Sequence, residues 1–245
     1  MPWGRVTIAA AIAAGAAFAL VPAAAALANG IVVATSGPSA GKYPVGRKLA
    51  DNESIVLAPG DTLTVLDGRG TRVLKGAGTY TLSQQAGPSK SGAFALLTRE
   101  RAAQRMRTGA VRGDVTGPVT RPNLWYVDVS GSGATCVPKS DEIRLWRPTS
   151  QGDATYTIKP AGGSAATQVV FHDGEMLSPW DGKALPVADG SSFVISQPGA
   201  AERTVTFKML DAVPSEPDAL ADDLISHGCT AQLEVLSQAM RVDAD

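Results

Sequence analysis

Short segments in which apolar and polar residues alternate, each ended by glycine or proline, recur along most of this chain and are typical of antiparallel β-structure. In the first third these runs cover residues 31–35, 54–58, 62–67, 71–75 and 79–83. Within them Leu63 and Val65 share one face, and Asp67-Gly68 is a strong hairpin dipeptide. The pattern predicts a small β-domain over residues 29–83.

Four fragments of this region carry a family resemblance: Tyr43-Pro-Val-Gly46, Leu49-x-Asp51, Ile55-x-Leu57 and Gly60-Asp61-x-Leu63-x-Val65. Together with the following hairpin, residues 31–83 resemble the FecR-type β-domain of bacterial envelope proteins. The resemblance implies a fold and an envelope setting. FecR regulators also carry an anti-sigma helix bundle and a membrane span ahead of this domain. Neither is found in this sequence, so the resemblance is not extended to sigma-factor signalling.

The complete chain is also similar to secreted proteins of alphaproteobacteria. This wider resemblance is carried by the Arg-rich middle of the chain, by the run Leu145-Trp-Arg-Pro148 and by the late Gly228-Cys229 pair. It implies export and supplies no role.

The first 28 residues have the order of features that a cleavable secretory signal needs. Arg5 gives a positive start, residues 6–21 are apolar, and Ala26 and Ala28 form an A-x-A cleavage pattern before Asn29. A retained anchor is the alternative, although Pro22 interrupts the stretch before a span of about 20 apolar residues is reached. We expect the mature chain to begin at Asn29 and to be periplasmic or secreted.

Charge is nearly balanced, with 22 Lys and Arg against 23 Asp and Glu. Non-specific binding to nucleic acid depends on many basic groups that neutralise phosphates, so the composition argues against a nucleic-acid partner. No transmembrane-length apolar run follows residue 32, and we expect no stable membrane insertion after cleavage.

The chain has two cysteines, Cys136 and Cys229. In an oxidising compartment an even pair predicts a disulfide, and two free buried thiols are the alternative. A zinc site usually needs four ligands, and the two cysteines and two histidines lack C-x-x-C or H-x-x-x-H spacing. We therefore predict no metal and no cofactor.

Residues 84–121 change in character to an Arg-rich linker with a predicted helix over about 93–107. A solvated helix is favoured over a membrane-surface helix because the arginines do not gather on one face. Pairing with an acidic segment, within the chain or between subunits, is a second possibility. The arginines are Arg99, Arg101, Arg105, Arg107, Arg112 and Arg121, and the acidic residues are Asp211, Glu216, Asp218, Asp222 and Asp223.

The last region, residues 122–245, predicts a β-sandwich followed by helices. Ser215 and Asp218 have capping-box-like spacing before a helix that Gly228 ends. The segment 229–240 repeats apolar residues at helical spacing, although a strand also fits, and we favour a helix. The β-rich runs are residues 124–129, 142–146, 154–159, 167–171, 192–196 and 204–209.

Fragments that imitate catalytic motifs are incomplete. Gly37-x-x-x-Gly41-Lys42 lacks the spacing and the hydroxyl of a phosphate-binding loop, and Ser39-x-x-Lys42 lacks the partner motifs of serine–lysine enzymes. The best enzymatic hypothesis is His172-Asp173-x-Glu175, a base with two carboxylates at a strand end. An ordinary polar loop is the favoured alternative.

Three tryptophans of the last region, Trp125, Trp146 and Trp180, are expected to be core anchors. The functional alternative is a ligand groove, and its candidate residues are Trp146, Arg144, Arg147, Trp180 and His172. From these patterns we predict an exported, non-catalytic binding, sensing or scaffolding protein of the cell envelope, whose partner is another envelope protein or a small ligand. A periplasmic hydrolase-type enzyme centred on His172, Asp173 and Glu175, and a membrane-tethered FecR-like regulator, are the alternatives.

Overall fold

The computed structural model describes residues 28–83, 89–99, 121–139 and 142–242. The predicted signal segment with Ala26, and most of the predicted Arg-rich linker, lie outside the described residues. Ala28 and Asn29 open the first strand. No helix within the described ranges is both long and apolar enough to cross a membrane.

Residues 28–83, the amino-terminal β-region, form six strands in two sheets. The larger sheet has the strand order β2-β1-β4-β5 with antiparallel pairing throughout, and β3 pairs with β6. The strands are β1 (Ala28–Ser36), β2 (Lys48–Ala50), β3 (Ile55–Leu57), β4 (Thr62–Asp67), β5 (Thr71–Lys75) and β6 (Gly78–Tyr80).

The larger sheet is buried on both faces. Leu63 and Val65 of β4 face a core shared with Val32 and the β3–β6 pair. Ile31 and Leu66 point to the opposite face, into a separate core. A sheet with two covered faces needs a second packing layer, and here that layer comes from the other end of the chain.

The last region is a β-sandwich. A five-stranded sheet has the order β11-β10-β13-β14-β8, in which β14 and β8 are parallel, and it packs against a three-stranded sheet, β12-β9-β7. Between them lies an aromatic core. The strands are β7 (Val127–Asp128), β8 (Gly133–Pro138), β9 (Arg144–Trp146), β10 (Ala154–Pro160), β11 (Thr167–Phe171), β12 (Leu177–Pro179), β13 (Ser192–Ser196) and β14 (Arg203–Leu210).

Three helices occur in the described ranges: α1 (Ser91–Thr98), α2 (Pro217–Ser226) and α3 (Thr230–Ala239). Their apolar residues, such as Leu97, Leu224 and Leu236, form one buried cluster with Ile31 and Leu66 of the amino-terminal sheet. Residues of the sandwich side, among them Leu124, Cys136 and Leu210, belong to the same cluster. We call this cluster the junction core, because it joins the two β-regions through the terminal helices.

The predicted disulfide is present and lies within the junction core. Cys136 of β8 is bonded to Cys229 at the start of α3, and both residues are 0% exposed. Beside it the Gln232 side chain binds the β8 backbone: Oε1 accepts from the Cys136 N–H at 2.6 Å, and Nε2 donates to the Cys136 carbonyl at 2.7 Å. At this sheet edge, the Gln232 side-chain amide thus bonds to the N–H and C=O of β8 as a neighbouring strand would.

The mainly-β fold with a sandwich and carboxyl-terminal helices is confirmed, and residues 230–239 are helical as favoured. Three strands, β2, β8 and β12, were not predicted. The capping-box prediction is wrong: Glu216 is the N-cap of α2 and makes no side-chain capping bond, while Pro217 occupies the first helical position.

Candidate functional site

Arg147, predicted to bind a ligand, lies instead inside the sandwich and holds backbone carbonyls. Its residue is 1% exposed. Nε donates to the Glu175 carbonyl at 2.7 Å, Nη1 to the Gly152 carbonyl at 2.8 Å, and Nη2 to the His172 carbonyl at 2.9 Å. The guanidinium also lies 5.4 Å from the ring centroid of Phe171. Because its N–H groups donate to backbone carbonyls, this buried guanidinium has a structural role and stabilises the backbone around it.

The loop after β11 contains the residues of the enzymatic hypothesis. The Glu175 carboxylate accepts from the His172 backbone N–H at 3.0 Å, and the Asp173 carboxylate accepts from the Gly152 N–H at 2.6 Å. In turn, the Asp153 carboxylate accepts from the Asp173 N–H at 2.8 Å. All three predicted residues are exposed. By accepting backbone N–H groups, these carboxylates stabilise two adjacent turns, which is a common role of Asp in loops.

The two tryptophans of the predicted groove are both buried. Trp180 packs edge-to-face on Phe193 and Phe207, with ring centroids 4.9 and 5.2 Å away, and its Nε1 donates to the Leu185 carbonyl. Trp146 is 3% exposed. Trp125 is also buried, and its Nε1 donates to the Thr98 carbonyl at 3.0 Å. The core-anchor interpretation therefore describes all three side chains.

The predicted ligand residues nevertheless meet along one pair of strands. Leu177 of β12 lies opposite Trp146 of β9, the Arg147 N–H donates to the Met176 carbonyl, and the Trp180 N–H donates to the Ile143 carbonyl. Of the five candidates, Arg144 is partly exposed beside Glu142, and His172 is exposed. Only these two side chains of the set are open to a ligand.

Sequence reasoning missed two shallow cavities at the junction of the amino-terminal sheet and α2. One has a volume of about 340 Å³ and the other about 240 Å³, and they share Asp218. The start of α2 lies beside the hairpin after β4 in the first cavity and beside β1 and β2 in the second, and its aspartates make both walls acidic. The first is lined by Asp51, Asp67, Gly68, Arg69, Glu216 and Asp218.

Within the described residues, two members of the acidic segment pair with lysines. Asp222 lies 2.7 Å from Lys48 of β2, and this hydrogen bond raises the pKa of Lys48. Asp211 pairs with Lys139, which raises the pKa of Lys139 and lowers that of Asp211. Most of the predicted basic patch lies outside the described residues.

Arg121, the last member of that patch, is buried. Its Nη1 donates to the Tyr126 carbonyl at 2.9 Å. Burial lowers the pKa of the guanidinium, and the Asp128 charge opposes that shift. Arg121 therefore belongs to the folded interior rather than to a solvated basic surface.

The fragments that imitate nucleotide and serine–lysine sites form a turn held by Asp61. Its carboxylate accepts from the backbone N–H of Ser39 at 2.9 Å, and bonding with Ser39 lowers the pKa of this buried carboxyl. Lys42 lies over the ring of Tyr43, whose hydroxyl accepts from the Val56 N–H at 2.9 Å. Each polar group here has a structural partner.

In the ranges that the structure describes, no group of three or more His, Cys, Asp or Glu is placed to hold a metal ion.

Comparisons with protein-family models, with curated proteins and with solved structures gave no match to this chain. The FecR-like resemblance of residues 31–83 thus stays a prediction based on the sequence.

Proposed function

We propose that this protein is an exported, non-catalytic binding or scaffolding protein of the bacterial cell envelope, periplasmic or secreted. The observation that carries the proposal is the Cys136–Cys229 disulfide at the centre of the junction core. A disulfide that joins two structural regions persists in oxidising compartments outside the cytoplasm. It ties β8 of the sandwich to the start of α3, which packs in the junction core.

A non-catalytic role is supported by what the candidate catalytic groups already do. The carboxylates of Asp173 and Glu175 accept backbone N–H groups, and the Arg147 guanidinium holds three carbonyls within 3.0 Å. A general base needs an orienting partner and free access to substrate. Here the carboxylates beside His172 are committed to the loop, so they are poorly available to orient its imidazole.

The FecR-like resemblance of residues 31–83 supports an envelope setting. We propose another envelope protein or a small ligand as the partner. Arg144 and His172, the two accessible members of the predicted site, are the first positions to examine in the sandwich.

Export is tested by the mass of the protein recovered from a periplasmic or culture fraction. We expect a chain that begins at Asn29 and lacks two hydrogens, because the disulfide is closed. A chain that retains Met1 would support the membrane-tethered alternative. A reduced chain found only in the cytoplasm would contradict the proposal.

Catalysis is tested by complementation of a strain that lacks the protein, with two matched variants. His172→Ala removes the imidazole of the loop and leaves every backbone bond of the loop in place. Arg147→Met removes the guanidinium and its hydrogen bonds to three backbone carbonyls. We expect the first variant to complement fully and the second to fail through misfolding. Loss of function in a His172→Ala protein with an unchanged circular dichroism spectrum would favour the hydrolase alternative.

A further inference from the structure

Among the described residues, the sheet edges are protected in all but one place. An unprotected edge strand presents unpaired backbone N–H and C=O groups, and natural proteins cover, shorten or charge such edges. At β8 the edge is covered by Gln232 and α3. At β5 the Thr71 N–H donates to the Met240 carbonyl, and the Val242 N–H donates to the Thr71 carbonyl.

Other edges in the described ranges are short or interrupted. Strands β2, β3, β6, β7 and β12 have three residues or fewer, and β12 ends on Pro179. By contrast, β11 forms the outer edge of the five-stranded sheet over the five residues Thr167–Phe171. It contains no charge and no proline, the two devices that usually protect an edge.

The pairing of β10 shows which groups of β11 face outward. Ala161, directly after β10, donates its N–H to the carbonyl of Ser192, the first residue of β13. The odd-numbered residues of β10 therefore bond toward β13. Even-numbered residues then bond toward β11, where Tyr156 lies opposite Val169. The backbone groups of Gln168 and Val170 are left pointing away from the sheet.

The side chains along this edge are compatible with a partner strand. Val169 and Phe171 are buried in the sandwich core, whereas Gln168 and Val170 are exposed, and Val170 is 43% exposed. No hydrogen bond from the described residues reaches the backbone of Gln168 or Val170. The edge thus offers two N–H donors, two C=O acceptors and a neutral side-chain surface.

We propose that β11 pairs antiparallel with β11 of a second copy of this chain, joining two five-stranded sheets into one. With a two-fold axis through Val169, Gln168 of one copy lies opposite Val170 of the other, and both belong to the hydrogen-bonding set. The two residues of each pair exchange two backbone hydrogen bonds. The outer edge of β11 is therefore complementary to the same edge of a second copy.

The flanks of the strand favour this partner over a charged one. In the same register the neutral Ala165 and Ala166 of one copy lie opposite Asp173 and His172 of the other, so no like charges oppose each other. The His172 N–H is already bonded to Glu175, which limits the pairing to β11. Within β11 itself, a basic or acidic strand would find no complementary charge. The inference is independent of the function proposed above.

The test is sedimentation velocity of the oxidised protein across the micromolar range, combined with hydrogen exchange resolved at single amides. We expect a concentration-dependent dimer, and slower exchange at the Gln168 and Val170 amides as the dimer fills. Val170→Pro removes one outward donor from each copy and leaves the internal bonds of β11 intact, because proline is tolerated where an edge N–H faces solvent. It is expected to raise the dissociation constant by about tenfold or more.

Two further substitutions keep the test decisive if the proline disturbs the strand. Val170→Thr retains the N–H and the branched shape and should leave the dissociation constant unchanged. Val170→Lys places like charges across the two-fold axis and should weaken the dimer as Val170→Pro does. A protein that stays monomeric throughout the range overturns the proposal. A dimer of equal affinity in the proline and lysine variants does so as well, because it would use another surface.

Discussion

The sandwich and the amino-terminal β-region build their cores in different ways. In the sandwich, Phe193 and Phe207 come from the neighbouring strands β13 and β14, and Trp180 follows β12 of the facing sheet. The three rings lie in one sequence region and pack edge-to-face. The larger amino-terminal sheet covers one face locally, but Ile31 and Leu66 on its other face pack against helices more than 150 residues away in sequence. The first core is self-contained, and the second depends on contacts that close a very long loop.

This difference implies that the two regions respond differently to damage at the junction. The terminal helices contact both regions, and the chain after α3 bonds to Thr71 of β5. Loss of those helices removes a packing layer from the amino-terminal sheet. From the sandwich it removes the edge cover at β8 and packing partners of Leu124 and Leu210, but not the core between the two sheets.

The largest effect is expected from replacing both cysteines by alanine. The disulfide spans 93 residues, and its loss should cost about 4–5 kcal/mol on the chain-entropy model. We expect hydrogen-exchange protection to be lost first in β1, β4 and the terminal helices, and last in β10 and β13. Urea unfolding of the variant, compared with the oxidised native protein, measures the cost, and the reduced native protein controls for the loss of the two thiol side chains. Uniform loss of protection in both regions would break the comparison.

The next effect separates the two cores with a matched pair of leucines. Leu224 in the junction core and Leu145 in the sandwich are both 0% exposed, and truncation of either to alanine should cost about 2–5 kcal/mol. Leu224→Ala should lower protection on both sides of the junction, whereas Leu145→Ala should spare β1 and β4. Equal exchange patterns in the two variants would show that the protein unfolds as one unit.

A smaller effect is expected at the edge of β8. Gln232→Leu leaves the N–H and C=O of Cys136 without partners, and a buried group in that state costs about 1–3 kcal/mol. The control is Gln238→Leu, because Gln238 is exposed and bonds only to Glu234. It should change the free energy of unfolding by less than about 0.5 kcal/mol. If Gln232→Leu also changes the free energy of unfolding by less than about 0.5 kcal/mol, packing of α3 alone protects the edge of β8.

The smallest effect is local to the amino-terminal β-region and depends on pH. Bonding with Ser39 lowers the pKa of Asp61 in the folded state, so its stabilisation is present above about pH 4 and is lost as the pH falls below that value. Asp61→Asn should therefore lower Tm at neutral pH, and the difference from the native protein should shrink on acidification. Thermal melts from pH 2.5 to 7 measure it. A difference that is constant with pH would assign the effect to lost packing.

The sequence alone predicted much of the strand content because alternation and turn residues are local signals. Runs such as residues 62–67, 71–75 and 192–196 coincide with strands β4, β5 and β13. Short strands were missed because three residues, as in β2 and β12, are too few to show a period. Strand β8 was missed because Gly133-Ala-Thr-Cys-Val-Pro138 lies in a Gly- and Ser-rich stretch that looks like a loop.

The candidate site was harder to predict than the fold. Arg147 and Trp146 stood out because charged and aromatic neighbours are typical of ligand grooves. Whether a guanidinium faces solvent or a cage of carbonyls depends on Glu175, Gly152 and His172, which reach it only after β9 and β12 pair. The sequence around Arg147 does not indicate that β9 pairs with β12.

The sequence by itself determined the mainly-β composition, the disulfide partners and the helix at the end of the chain, since each follows from residue type and short-range spacing. Tertiary structure decided where those elements lie. It placed the terminal helices between the two β-regions, buried Arg147 and Trp146, and left β11 as the one long edge without a cover in the described ranges. The physical reason is that burial and edge exposure depend on which distant surfaces meet, and no single segment encodes both surfaces.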